Sequence, residues 1–106
     1  MLYVFDSKGN LYSQRGGHVH YAGNGIYVDD QALVSFESSG VVFRDNFDRI
    51  YRVGDLYIYY NNLGNLYRIG DTYIYYDNFG RINRVGDLYI YYNNLQRLHR
   101  IGDDYF

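Results

Sequence analysis

Four sets of side chains in this sequence have types and spacing that could carry chemistry. His18 and His20 stand two apart in "HVHY", so on a strand both imidazoles leave the same face and could supply two ligands to a metal ion. No third ligand stands near them in the sequence, and His99 fills the slot held by Tyr67 and Asn83 in neighbouring segments. Neither a metal nor a cofactor is therefore assigned. Asp29 with Asp30, and Asp103 with Asp104, are adjacent carboxylates. Neighbouring strand residues point to opposite faces, whereas catalytic carboxylates must meet across a cleft, so turn positions suit these better.

Arg52, Arg68, Arg84 and Arg100 recur every 16 residues, each followed three positions later by an Asp. With two strands per period the guanidinium groups would stand in a row about 10 Å apart. Each could lie over a Tyr ring or pair with a turn Asp, adding about 0.5 to 1 kcal/mol; alternatively the row could grip an acidic polymer or partner. Tyr57, Tyr73 and Tyr89 repeat in the same rhythm, as do Tyr59, Tyr75 and Tyr91. They offer cross-strand packing, a contact face for a protein or a second copy, or a platform for sugar rings. No nucleophile elbow, P-loop or dinucleotide fingerprint is present, so a non-enzymatic chain is expected.

Such rows need a sheet to position them. Sixteen Tyr and six Phe, with no Trp and no Pro, suit a pleated surface. In "YNNLGNLY" Asn61 fits the first position of a type I turn and Gly64 the left-handed bulge position. Asp77 with Gly80, and Asp6 with Gly9, repeat that chemistry, while Asp48 and Gln96 replace the Gly. Those two turns carry either strain or another geometry. Gly54, Gly70 and Gly86, each followed by Asp, mark the return turns.

Strands then fall about every eight residues, giving roughly twelve or thirteen. The expected fold is all-β: an antiparallel meander of tandem 16-residue β-hairpins over a single domain, residues 1–106, with degenerate repeats in 1–40 and regular ones in 41–106. Left open, thirteen strands would extend about 60 Å, so the sheet should be elongated or spiralling, or fold back on itself. If all copies face alike, Ile58, Tyr60, Leu66 and Arg68 share one face, and Tyr57, Tyr59, Tyr67 and Ile69 the other. Neither face is then polar.

A net charge of −2 and a pI near 5.8 argue against a nucleic-acid partner. Zero Cys excludes disulfides and thiolate metal sites. No apolar run is long enough for a membrane span. "MLYVFDSKGN" lacks the basic start and apolar stretch of a signal peptide, which leaves the compartment open.

Tyr76-Asp77-Asn78-Phe79-Gly80-Arg81-Ile82 resembles the core of the YD repeat, the motif of rearrangement-hotspot toxins, wall-associated toxins and teneurins. Phe5-Asp6-Ser7-Lys8-Gly9-Asn10-Leu11 and Tyr60-Asn61-Asn62-Leu63-Gly64-Asn65-Leu66 are further copies. Arg44-Asp45-Asn46-Phe47-Asp48-Arg49-Ile50 lacks the Gly, and Tyr92-Asn93-Asn94-Leu95-Gln96-Arg97-Leu98 lacks both Asp and Gly. The resemblance implies a strip of hairpins, which in that family spirals into a shell or serves as an adhesion scaffold. The expected role is a tyrosine-rich scaffold or interaction module, acting through protein contacts or self-association. A carbohydrate-binding module using the Tyr rows and a small inhibitor or immunity-type protein are the alternatives.

Overall fold

In a computed structural model, which describes residues 1–12 and 18–106, every regular element is a strand, as the aromatic and β-branched composition demands. Five strands form a first antiparallel sheet: β1 (Leu2–Phe5), β2 (Leu11–Tyr12), β3 (Val19–Gly23), β4 (Ile26–Asp29) and β5 (Val34–Glu37), in the order β2-β1-β5-β4-β3. Nine form a second, strictly sequential meander: β6 (Val42–Arg44), β7 (Ile50–Val53), β8 (Leu56–Tyr60), β9 (Leu66–Ile69), β10 (Thr72–Tyr76), β11 (Ile82–Val85), β12 (Leu88–Tyr92), β13 (Leu98–Ile101) and β14 (Asp104–Tyr105). The break between the sheets falls where the regular repeat begins. None of the described residues forms a helix long and apolar enough to cross a membrane.

Hairpin tips follow the expected turn chemistry. The carboxylate of Asp77 accepts the backbone N–H groups of Phe79 at 2.9 Å and Arg81 at 3.0 Å, and Gly80 takes φ +79°. Asn61 and Asn93 make the same two bonds with an amide oxygen. Asp48 and Gln96 keep this geometry, at φ +64° and +66°, so the missing Gly is met by strain and not by another turn. Asp29 and Ala32 (φ +62°) build one more copy, which accounts for the first carboxylate pair as a turn.

The expected face assignment is corrected by a bulge in every regular hairpin. Tyr59 pairs with Arg68 but Tyr60 pairs with Leu66, leaving Tyr67 unmatched. Tyr51, Asn83 and His99 are the equivalent extra residues. One extra residue reverses the alternation. Arg68 thus leaves the Ile58 face for the Tyr57 and Tyr59 face, and Ile69 turns inward to pair with Ile58.

After this reversal one face is apolar but for Thr72, whose hydroxyl accepts from the Asn24 amide at 3.2 Å. Ile50, Val53, Ile58, Leu66, Ile69, Ile74, Ile82, Val85, Ile90 and Ile101 pack in one core with Tyr3, Phe5, Ile26, Val28, Val34 and Phe36 of the first sheet. The first sheet thereby covers one face of the second. Backbone contacts join them: the Ser7 carbonyl accepts from Leu66 N–H at 2.8 Å, and the turn at Gly86 seats so close to Ala22 that a Cβ there would lie 2.6 Å from its carbonyl oxygen. The chain therefore folds back on itself, with extents of 39 × 28 × 23 Å, in place of an open ribbon.

Candidate interaction surface

The outward face of the nine-strand sheet brings all ten of the expected Arg and Tyr positions together. Arg52 lies over Phe43 and Tyr57, Arg68 over Tyr59 and Tyr73, Arg84 over Tyr75 and Tyr89, and Arg100 over Tyr91 and Tyr105, at 4.8 to 5.2 Å from each ring centroid. Within strands Tyr57 stacks with Tyr59, and Tyr89 with Tyr91, both at 6.5 Å. The result is a ladder of alternating cations and rings running across the sheet. Its cause is register: the bulge sets each Arg opposite an aromatic residue on both neighbouring strands, a Tyr in every case but the Phe43 that faces Arg52.

The guanidinium groups are further held by their own turns. Each Nε donates to the carbonyl of the Gly two residues on, Arg68 to Gly70 at 2.6 Å and Arg84 to Gly86 at 2.7 Å. The Asp three residues on stands 3.8 to 3.9 Å away with its carboxylate in water, a placement that adds little stability. Tyr57, Tyr73, Tyr75, Tyr89 and Tyr91 are exposed to between 41% and 46%. Tyr57, Tyr89 and Tyr91 each meet a guanidinium and a neighbouring ring, whereas Tyr73 and Tyr75 each meet one guanidinium, that of Arg68 and that of Arg84. A sugar ring stacking flat needs a free ring face.

The third Tyr of each "YIYY" has a different place. Tyr60 and Tyr92 turn inward and donate to the carbonyls of Ile50 and Ile82 at 2.8 Å, while Tyr76 donates to Leu66. Burial pushes the Tyr60 hydroxyl up to about 12, the Asp45 charge adding to it against Arg49 and Arg44. Burial likewise raises Tyr76, with Asp6 nearby, and Tyr92, there against the Arg81 charge. Burial works against ionisation of Asp77, yet the Arg81 and Phe79 backbone N–H groups and the Arg81 side chain outweigh it and hold the carboxyl below 3.8. These perturbed groups all belong to repeat contacts that hold the hairpins.

A further row was not singled out from the sequence. Phe47, Leu63, Phe79 and Leu95 occupy the same slot in successive tips and are exposed at 79%, 77%, 72% and 71%. All four tips lie at one end of the nine-strand meander, two strands apart, a spacing of about 9.6 Å. The turn itself does not demand an apolar residue there. Lys8 and Gln31 fill the same slot in the first sheet's turns, with the same backbone bonds to Asp6 and Asp29 at 2.9 and 2.8 Å. The signal was present in the sequence as an apolar residue at period 16 within "DNF" and "NNL".

His18 and His20 do stand together, with ring centroids 4.7 Å apart, and the structure adds Asp104 from β14. His99 sits apart, at a bulge, edge-on to Tyr105 at 5.7 Å. No protein-family model, curated protein or solved structure matches this chain.

Proposed function

We propose that the protein is a non-catalytic, YD-repeat-like interaction scaffold whose contact surface for a protein partner is the row Phe47, Leu63, Phe79 and Leu95. The observation that carries this reading is the recurrence of a large apolar side chain, more than 70% exposed, at a turn position that elsewhere in the same chain holds Lys8 or Gln31. The backbone bonds of the turn do not require an apolar side chain there; Arg49 and Arg81 lie over the Phe47 and Phe79 rings at 5.0 Å, but each ring, like Leu63 and Leu95, stays largely exposed to water. Aligned on one end of a rigid sheet, they can bury together against a flat apolar surface, with the polar turn residues as rim. The Tyr and Arg ladder is the stiffener that keeps the four tips in line.

The test replaces all four tip residues with Asn, which the turns accommodate. The variant should keep the wild-type circular dichroism spectrum and lose affinity for the partner that co-purifies with the wild-type chain. Retained affinity would place the contact elsewhere. Loss of concentration-dependent self-association in the same variant would identify the partner as a second copy.

A further inference from the structure

His20 lies in β3 with its ring nearly closed off from water, 7% exposed, and both of its nitrogens face carboxylates. Nε2 is 2.9 Å from Asp30 Oδ1, and Nδ1 is 2.9 Å from Asp104 Oδ2. A neutral imidazole has one N–H for these two contacts, so the other would set lone pair against lone pair. A cation between the ring and one carboxylate, either a second ring proton or a metal ion, resolves this. His18 indicates where: its Nε2 comes within 3.3 Å of the same Asp104 oxygen. Three donor atoms, one each from His18, His20 and Asp104, thus lie within 4.8 Å of one another.

We propose that His18, His20 and Asp104 form a binding site for a divalent transition metal of the zinc class, with Asp30 as the positioning residue. Ligands about 2.0 to 2.1 Å from tetrahedral zinc stand about 3.3 Å apart, close to the 2.9 and 3.3 Å spacings of Asp104 from the two imidazoles; the imidazole nitrogens, within 4.8 Å of each other, must draw together on the ion, which the exposed His18 side chain permits. Asp30 accepts the Nε2 proton of His20 and thereby fixes the tautomer whose Nδ1 is free to ligate, an arrangement typical of metal-bound imidazoles. Two nitrogens and one carboxylate suit zinc, nickel or copper over calcium or magnesium. His18 and Asp104 are each more than half exposed, so ions have access and water completes the coordination. The ligands come from β3 and the residue just before it and from the last strand of the second sheet, so the ion clasps the two sheets together. This site is separate from the tip row and does not depend on its role.

Calorimetric titration of the full chain with zinc chloride tests the proposal. One zinc per chain and a raised Tm are expected. His18→Ala and Asp104→Asn should each weaken binding at least about tenfold, and Asp30→Asn about 10- to 100-fold with the ligands intact. His99→Ala should leave binding unchanged. Both altered ligands lie at the surface, so their variants should keep the wild-type circular dichroism spectrum. Cobalt(II) on the wild-type chain gives a readout without substitution, the intense visible absorption of a four-coordinate ion. Absence of zinc binding by the wild type, equal binding by His18→Ala and Asp104→Asn, or a six-coordinate cobalt spectrum would overturn the assignment.

Discussion

Arg68 stands directly opposite Tyr59 across the ladder between β8 and β9, its guanidinium carbon 4.8 Å from the ring centroid, and it lies over Tyr73 on the other side at 5.2 Å. This opposition exists because Tyr67 is an extra residue in its strand. The bulge converts an arginine that simple alternation would bury into the rung of an external ladder.

If the ladder stiffens the sheet, Arg68→Lys should destabilise the protein by about 1 kcal/mol, because lysine keeps the charge but loses the planar fork that contacts two rings. The bond from Nε to the Gly70 carbonyl goes with it. Arg97→Lys, at an exposed tip position outside the ladder, is the control and should change stability by less than about 0.5 kcal/mol. Urea unfolding measures both, and equal effects would remove the ladder's structural role.

The tip turns rest on one side-chain oxygen accepting two backbone N–H groups. Asp77→Asn should cost about 1 kcal/mol, since Asn61 and Asn93 already serve in sister turns and what is lost is the part-buried, hydrogen-bonded ion pair with Arg81 at 2.9 Å. Asp77→Ala removes both turn bonds and should cost about 2 kcal/mol. The Asp77 carboxyl is held below its ordinary 3.8, so its contribution is fully present above that value and is lost as pH falls through the lower, folded-state one. Acid titration of the Asp77→Asn variant should show a correspondingly smaller loss of stability.

At the alkaline end the sign is reversed. Tyr60 ionises near 10 when unfolded and at about 12 when folded, so its contribution is whole below pH 10 and disappears as pH rises through 12. Tyr76 and Tyr92 act in the same direction. Stability against urea should therefore hold level to about pH 10 and then fall steeply. Phenolate absorbance should show a group of tyrosines that ionises only as the sheet opens, and Tyr60→Phe should shrink that group.

Two backbone positions should respond oppositely. Asp48 pays left-handed strain at φ +64° with its side chain in water, so Asp48→Gly should stabilise by about 1 kcal/mol. Gly86→Ala would place a Cβ 2.6 Å from the Ala22 carbonyl oxygen. The sheets must then part, at a cost of about 3 kcal/mol. Thermal unfolding of the two variants, with Tm up for the first and down for the second, is the check.

Much of this architecture is legible in the residues. The 16-residue period, the Asp or Asn turn with a left-handed fourth residue, and the Gly-Asp return turns all appear as local chemistry. The bulge is harder to see, because Leu66-Tyr67-Arg68-Ile69 reads as ordinary alternation. Its trace is the three-residue spacing of the apolar pairs 50 and 53, 66 and 69, 82 and 85, and 98 and 101, which a regular strand could not turn to one face. The pairing of β5 with β1 is set by the strand order of the first sheet, and the approach of Asp104 to His18, 86 residues away, by how the two sheets stack. No local pattern encodes them.

The most direct test of the interaction surface is site-specific photo-cross-linking in the cells that make the protein. A benzophenone side chain placed at Leu63 or Phe79 should trap one and the same partner, and the adduct should vanish when the remaining tip residues are changed to Asn. The same probe at Asp71, on the opposite end of the meander, should trap nothing comparable. Equal cross-linking from Asp71, or none from Leu63 and Phe79, would contradict the tip row as the contact surface.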